Sequence, residues 1–231
     1  MAWNPRHRGR DGARRVRRSQ FVPTGPGNED SNEVHSRFQA GDRLRVGVSD
    51  LRVLVGEQQI HERVKEVGAS LRERIGDEVP VFIGMLSGGF VFLSDLIRVY
   101  DGEHEIDFLK VSRYDRRQRD PTAVRVLHDL RSNVRGRSVV LVEGIRARGT
   151  KIQYVDRFLR LHQPKQVLYC AMIEPADAQR TVPLDESGFR IDNEFVVGYG
   201  LDYEERYRNL PFIGVMESSP LEKAPRPRES E

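Results

Sequence analysis

The residues with the clearest chemical potential lie where a strand, a turn and a helix follow one another between Ser138 and Lys151. The apolar run at residues 138–142 predicts a buried strand, which continues as Glu143-Gly-Ile-Arg-Ala-Arg-Gly-Thr-Lys151. A helix start has unpaired N–H groups and a positive dipole end, and Gly149 lets the backbone approach an anion closely. The sequence therefore predicts a phosphate-binding turn, although a plain strand-to-helix connection has the same general pattern. The predicted phosphate-binding residues are Arg148, Gly149, Thr150 and Lys151.

The elements that would position this turn alternate between strands and helices. Apolar runs predict strands near residues 51–55, 79–84, 106–111, 124–127, 138–142 and 167–173. Helical spacing follows at residues 60–75, 92–99 and 152–162. This order predicts an α/β domain with a mostly parallel, twisted sheet flanked by helices. Such sheets bind ligands at the carboxyl ends of their strands.

Composition divides the 231 residues into a folded body and two polar ends. Residues 1–18 hold seven arginines against Asp11, and residues 24–32 read as a linker, so residues 1–50 are predicted to be largely disordered. The domain is expected at residues 51–217, with a flexible tail at 218–231. An arginine-rich tail could bind nucleic acid through phosphate charge, or could be an organelle transit peptide.

Other classes of protein are excluded by composition. The apolar runs are shorter than the ~20 residues of a membrane-spanning helix, so a protein without a membrane segment, placed in the cytoplasm, is expected. Cys170 is the single cysteine, which excludes an intramolecular disulfide and a cysteine-rich metal site. Its position in an apolar run predicts a buried, inert thiol.

Four further segments accompany the turn and carry a resemblance. They are Gly84-Met-Leu-Ser-Gly-Gly-Phe90, Val111-Ser-Arg-Tyr114, Leu141-Val-Glu143, and Phe195-Val-Val-Gly-Tyr-Gly-Leu-Asp-Tyr203 followed by Tyr207-Arg-Asn-Leu-Pro211. Together they resemble the hypoxanthine-guanine phosphoribosyltransferases. The resemblance implies a type I phosphoribosyltransferase fold with a small hood formed by the N- and C-terminal segments. It also implies transfer of ribose 5-phosphate from phosphoribosyl pyrophosphate to a 6-oxopurine, magnesium on the pyrophosphate, and a homodimer or homotetramer.

The resemblance also assigns roles to individual residues. Glu143 would bind the ribose, and the pyrophosphate would be bound by Ser87, Gly88 and Arg208. Phe195 would stack on the purine while the Val196 backbone reads its edge. Tyr114 would lie in the lid, and Asp202 would hold magnesium. Each residue also has a structural interpretation. Phe195 could belong to the core, Asp202 to a turn and Arg208 to a surface salt bridge.

Departures from the family pattern concentrate in the turn. The family sequence Glu-Asp-x-x-Asp-Thr-Gly is replaced by one in which Gly144 and Ala147 stand at the two aspartate positions. The second of these acids exchanges a proton at purine N7 in the family, and loss of such assistance costs about 10² to 10⁴ in rate. Three other positions also differ: Ser87 in the pyrophosphate loop, Arg113 in the lid, and Glu174 where a purine-contacting lysine is expected.

These departures leave three functional hypotheses. The first is a catalytically impaired family member with a regulatory or structural role, which binds a purine nucleotide, another phosphorylated small molecule or a protein partner. Arg146 and Arg148 would then favour a bare anion, unless both side chains simply point into water. The second is an active transferase of purine salvage that uses other acids, the candidates being Asp115, Asp120, Glu143 and Glu174. The third is a protein that binds nucleic acid through its basic tail.

Overall fold

The computed structural model describes residues 37–47, 49–113, 124–146, 150–178, 182–192 and 194–217, all within one compact unit. The arginine-rich segment and the C-terminal tail lie outside this range, as do the predicted lid residue Tyr114 and the candidate acids Asp115 and Asp120. The elements in chain order are β1 Arg43–Val46, β2 Ser49–Val55, α1 Glu57–Ile75, β3 Val81–Met85, α2 Phe90–Val99, β4 Glu105–Arg113, β5 Val124–His128, β6 Ser138–Ile145, α3 Thr150–Leu161, β7 Gln166–Pro175, β8 Glu186–Ile191, β9 Val196–Val197 and β10 Ile213–Met216.

The larger sheet has six strands in the order β5-β4-β3-β6-β7-β8. All neighbouring strands in it are parallel except β5, which runs antiparallel to β4 at one edge. The α/β class and the mostly parallel sheet are thereby confirmed. Strand β8 was not predicted from the sequence, because its residues are mostly half-buried and give no continuous apolar run.

Helices cover both faces of this sheet. On one face α1 and α2 pack over β3, β6 and β7, with Phe82, Val140 and Cys170 in the shared core. On the other face α3 contributes Ile152, Val155 and Leu159 to a second core. Parallel strands buried on both faces explain why β3, β6 and β7 read as almost continuous apolar runs.

Helix α1 illustrates how sequence sets these elements. Its buried residues recur every three or four positions, so one stripe faces the sheet. At its start the backbone N–H of Gly56 donates to the Gln59 side chain at 2.9 Å. Arg72 and Arg74 in its last turn complement the negative end of the helix dipole. The buried residues of α1 are Ile60, Val64, Val67, Gly68, Leu71 and Ile75.

A separate four-stranded antiparallel sheet has the order β1-β2-β10-β9. It joins N-terminal and C-terminal segments, as expected of the hood. Folded structure starts before residue 51, because β1 begins at Arg43 and Phe38 packs on Phe212 with ring centroids 4.9 Å apart. The edge strand β9 carries Val196, which pairs with Val215 of β10.

No helix among the described residues is long and apolar enough to cross a membrane. Cys170 is 1% exposed, and burial raises the pKa of its thiol. The thiolate is the reactive form of cysteine, so this environment keeps the side chain unreactive, as the sequence predicted.

Candidate functional site

Three chain segments converge at the carboxyl ends of β3 and β6. The first is the turn at Gly88 and Gly89 between β3 and α2, and the second is the end of β6 at Glu143 and Gly144. The third is the loop after β9 that contains Leu201. A Cβ atom on Gly89 would lie 2.7 Å from the Val142 carbonyl oxygen and 3.3 Å from the Glu143 Cα. The predicted pyrophosphate turn therefore rests directly on the strand that carries the predicted ribose residue.

The contact is closest at Gly144. A Cβ atom there would lie 2.2 Å from the Gly88 carbonyl oxygen and 2.9 Å from Cδ2 of Leu201. Real Cβ atoms do not approach so closely, so no other residue fits without movement of the backbone. The position where the family has an aspartate is thus occupied by packed backbone and a leucine methyl group.

The C-terminal loop joins the same contact through Gly200. This glycine has φ +91°, and a Cβ atom on it would lie 2.8 Å from the Gly88 carbonyl oxygen. The neighbouring Tyr199 is 5% exposed, and its hydroxyl donates to Asp95 of α2 at 2.8 Å. The loop is therefore fixed to both the turn at Gly88 and helix α2. Gly200, Leu201 and Tyr199 were not predicted as site residues, although the Gly-Tyr-Gly sequence signals a loop with unusual backbone conformation.

The end of β6 carries one buried acid and one buried cation. Glu143 is 6% exposed and pairs in register with Ala171 of β7. Arg146 is 3% exposed, and its guanidinium donates to the carbonyl oxygens of Val182 and Pro183. The expectation that Arg146 would face an anion or water is wrong, because a backbone segment distant in sequence binds it instead. Its Nε has no partner among the described residues.

Helix α3 begins at Thr150, as the phosphate-binding prediction requires. No acidic residue lies in its first turn, so no side chain there neutralises the positive end of the helix dipole. Lys151 is half-buried in that turn. Ala147, Arg148 and Gly149 lie outside the described residues, so the shape of the turn itself stays a prediction.

The predicted purine residues lie in and beside β9. Phe195 is 45% exposed, and its ring meets the Tyr203 ring edge-on at a centroid distance of 5.7 Å. It is therefore a surface aromatic and does not belong to the core. Val196 is buried, and among the described residues its strand pairs only with β10 and forms the edge of the sheet. An exposed ring beside a strand at the edge of the sheet is a suitable arrangement for stacking on a base and reading it with backbone groups.

Asp202 and Arg208 are bound to each other. One guanidinium nitrogen of Arg208 lies 2.8 Å from Oδ1 of Asp202 and donates to the Gly200 carbonyl at 2.9 Å. Its second terminal nitrogen lies 2.7 Å from Oε2 of Glu205. The backbone N–H of Glu205 donates to Oδ2 of Asp202 at 2.9 Å. Hydrogen bonding to Arg208 holds the pKa of Glu205 below its usual range. These three residues, Asp202, Glu205 and Arg208, are called the carboxylate clamp below.

Two other predicted positions lie at strand ends. Ser87 follows β3 and is half-buried, preceded by a cis peptide bond from Leu86. Glu174 lies near the end of β7, is 6% exposed and pairs in register with Arg190 of β8. A buried carboxylate here presents acceptor oxygens where a lysine would present donors.

A cavity of about 650 Å³ opens beside Leu86, lined by β4 and the segment after β5. Asp107 in its wall accepts the N–H groups of Phe108, Arg131 and Ser132, so its carboxylate is satisfied by the backbone. Glu143, Phe195 and Arg208 are not among its lining residues.

Comparison with known proteins agrees with this geometry. Residues 56–204 match the family described as "Phosphoribosyl transferase domain". The chain is 37% identical over 172 residues to the hypoxanthine-guanine phosphoribosyltransferase of Bacillus subtilis, covering 74% of this chain and 96% of that protein. The chain belongs to the hypoxanthine-guanine phosphoribosyltransferase family.

Solved structures of the family share the fold. A Bacillus anthracis hypoxanthine-guanine phosphoribosyltransferase superposes with a TM-score of 0.67 at 34% identity, covering 71% of this chain and 97% of that one. The Trypanosoma cruzi hypoxanthine phosphoribosyltransferase in complex with the product IMP gives a TM-score of 0.67 at 27% identity, covering 75% and 97%. Within this type I fold, the segments predicted to bind ribose, pyrophosphate and metal meet at one place, while the lid lies outside the described residues.

Proposed function

We propose that this hypoxanthine-guanine phosphoribosyltransferase family member binds a purine nucleoside monophosphate, or a similar phosphorylated small molecule, and transfers phosphoribosyl groups only weakly. A regulatory or structural role would follow from binding without efficient turnover. The observation that carries the proposal is the contact at Gly144, where the Gly88 carbonyl oxygen lies 2.2 Å from the position of a Cβ atom. An acid that the family uses on the ribose has no room there.

The binding part of the proposal is supported by what the chain retains. Phe195 offers an exposed ring, Glu143 remains at the end of β6, and α3 begins without an acid in its first turn. A helix start of this kind favours a phosphate group. The Trypanosoma cruzi relative is described in complex with IMP, which makes a nucleoside monophosphate the first ligand to test.

The weak-transfer part is supported by Ala147 and Glu174. A methyl group cannot accept or donate a proton at purine N7, and a lost general acid or base costs about 10² to 10⁴ in rate. A carboxylate at position 174 would face the 6-oxo group of hypoxanthine or guanine with acceptor oxygens, which disfavours these bases. Because Ala147 and Glu174 act on different parts of the reaction, their effects should compound.

Asp202 would hold a magnesium ion with few other protein ligands. Among the described residues no group of three or more His, Cys, Asp or Glu side chains could hold a metal. Magnesium is often held by one or two carboxylates together with phosphate oxygens of the substrate, so Asp202 would hold it alongside a bound diphosphate. The ion would neutralise phosphate charge in the active form of the site.

An active transferase of purine salvage is the second candidate. It is favoured by the enzyme names of relatives at 37% identity and by the retention of Glu143, Asp202 and Arg208. This candidate requires another group to supply the proton that Ala147 cannot. Glu143 and Glu174 are the described acids that could do so, while Asp115 and Asp120 lie outside the described residues.

Turnover and binding should be measured separately on the full chain. Formation of inosine or guanosine monophosphate from phosphoribosyl pyrophosphate is expected to be far below the ordinary range of about 1 to 10³ per second. Calorimetry with inosine monophosphate is expected to give saturable binding. Turnover within the ordinary range would reject weak transfer in favour of the second candidate, and absence of nucleotide binding would reject the binding role.

A paired substitution sharpens the kinetic test. Ala147→Asp supplies a proton-exchanging group and is expected to raise residual turnover at least about tenfold, given the usual size of such assistance. Ala147→Asn is the matched control, because it has nearly the same shape but no ionisable proton. Equal turnover in the two variants would mean that the missing acid does not limit the reaction.

A further inference from the structure

We propose that Glu205 is a positioning residue: with Asp202 it holds Arg208 in an ion-paired clamp, and a diphosphate that binds both terminal nitrogens of Arg208 must compete with these carboxylates. The inference rests on the proposed function, since it concerns the same ligand site. It adds a competition between the protein's own acids and the ligand's phosphates for one guanidinium.

The geometry of the clamp supports this competition. Arg208 makes contacts of 2.8 Å to Asp202 and 2.7 Å to Glu205, which occupy both of its terminal nitrogens. Its side chain is only 17% exposed. A guanidinium binds phosphate best through two parallel N–H donors, and here both terminal nitrogens already serve carboxylates. A diphosphate that binds both terminal nitrogens in this way must therefore replace at least one existing partner.

Charge makes the competition unequal. The clamp contains one cation and two carboxylates, so its net charge is negative before any ligand arrives. A diphosphate that displaced both acids would leave them beside its own negative charge, which costs free energy. The side chain of Asp202 is 30% exposed and that of Glu205 is 82% exposed. A displaced Glu205 side chain can therefore rotate into the solvent, whereas that of Asp202 has less room to do so.

A divalent cation would reduce the repulsion between the Asp202 carboxylate and the diphosphate, which solvent does not screen fully. With Arg208 withdrawn, Asp202 keeps only the N–H of Glu205 among the described contacts, and its carboxylate can receive a cation. Binding of a diphosphate at Arg208 and binding of a cation at Asp202 would then each assist the other, because both require the same ion pair to open. Such coupling between two ligands is reciprocal.

The backbone of the clamp is already arranged as a strained loop. Glu204, Glu205 and Tyr207 have φ values of 50°, 62° and 72°, which are uncommon for residues other than glycine. This conformation directs the N–H of Glu205 toward Asp202 while its side chain reaches Arg208. Glu205 thus contacts both partners of the ion pair, which is why it is assigned the positioning role.

The test measures binding of inorganic pyrophosphate to the full chain by calorimetry, with EDTA and with magnesium chloride. In EDTA, Glu205→Gln is expected to bind pyrophosphate about two- to fivefold more tightly than the parent protein, the range set by an exposed ion pair. Glu204→Gln is the matched control. Glu204 is the neighbouring residue and carries the same charge, but it makes none of the described ion pairs with Arg208. Its affinity should change less than that of Glu205→Gln.

Asp202→Asn completes the test by separating the cation from the clamp. It should increase the affinity for pyrophosphate in EDTA by more than Glu205→Gln does, because Asp202 is the less exposed partner, and it should lose most of the gain from magnesium. Glu205→Gln should keep that gain. Unchanged melting temperatures would show that the variants remain folded.

Different failures have different meanings. Equal affinities of Glu205→Gln and Glu204→Gln, or a weaker affinity of Glu205→Gln than of the parent, would overturn the clamp. If inosine monophosphate binds but neither the parent nor Glu205→Gln binds pyrophosphate, the clamp is overturned while the proposed nucleotide binding stands. If neither ligand binds to any of these proteins, the proposed function fails and the clamp fails with it.

Discussion

The end of β6 and the segment from Phe195 to Arg208 are two halves of the candidate site, and they depart from the family pattern in different ways. At the end of β6 the family acids are replaced by Gly144 and Ala147, and backbone fills the position of the first of them. Phe195, just before β9, and Asp202 and Arg208, in the loop after it, are all present, but Asp202 and Arg208 bind each other. A lost side chain whose space is filled cannot be regained by one substitution, whereas a paired side chain can be released by a ligand.

The largest effect is expected at the filled position. Gly144→Asp should destabilise the protein by more than about 3 kcal/mol, since overpacking alone costs about 1 to 3 kcal/mol and the carboxylate would also lose water. It should not increase transferase activity. Urea-induced unfolding would measure the change in free energy, with product formation measured on the same variant.

Gly88→Ala is the control, because it places a methyl group on the opposite side of the same contact. A Cβ atom on Gly88 would meet Leu201 at 3.7 Å, an ordinary van der Waals distance. This variant should lose far less stability than Gly144→Asp. If Gly144→Asp were instead stable and more active, position 144 would have room for an acid. The conclusion that packed backbone prevents recovery of this half of the site would then be wrong.

The retained half is tested by removing its exposed aromatic ring. Phe195→Ala should weaken binding of inosine monophosphate by roughly 5- to 150-fold, since stacking of a base on an aromatic ring contributes about 1 to 3 kcal/mol. Stability should change little because the side chain is 45% exposed. Calorimetry gives the affinity, and Leu127→Ala on β5, a residue 51% exposed, controls for loss of a surface apolar group. Unchanged affinity in Phe195→Ala would remove the stacking role.

The fold could be predicted where the apolar residues of a helix or strand have a regular spacing within that element. The spacing of Ile60, Val64 and Leu71 defined α1, and the unbroken apolar run of β6 defined a strand buried on both faces. The pattern was weaker where burial depends on distant partners. Strand β8 is mostly half-buried and contains Gly188, so its existence depends on pairing with β7 and on Arg63 of α1, which donates to the Ser187 and Gly188 carbonyls.

Roles in the candidate site could be assigned only where the sequence resembles the family motif. Phe195 and Asp202 were assigned in this way, and their roles stay predictions. The burial of Arg146 could not be predicted, since its partners at residues 182 and 183 lie about 36 positions away and are backbone carbonyls without a side-chain signature. Nor could sequence spacing reveal that Asp202 and Arg208 neutralise each other, because the same residues could equally face a ligand.

The smallest expected effect concerns how the retained loop is attached to the rest of the site. Tyr199→Phe removes the hydroxyl that donates to Asp95. The free energy of unfolding should fall by about 0.5 to 1.5 kcal/mol. This range is below that of a buried hydrogen bond to a charged group, because the Asp95 side chain is 44% exposed. Burial, and then the charge of Asp95, raise the pKa of Tyr199 above its usual value of about 10. A raised pKa means that the contribution of the hydroxyl is complete below the unfolded pKa and is lost as pH rises above it.

The difference in unfolding free energy between the parent protein and Tyr199→Phe should therefore be constant from neutral pH to about pH 10 and shrink above it. Tyr207→Phe is the matched control in the same loop, because its hydroxyl is 2.8 Å from the uncharged hydroxyl of Ser49 and should contribute less. Urea titrations across this pH range give both differences. If Tyr199→Phe and Tyr207→Phe lost equal stability, the attachment to α2 would have no special strength. The loop would then be held chiefly by Gly200 and Leu201 packing on Gly88, the same contact that closes the altered half of the site.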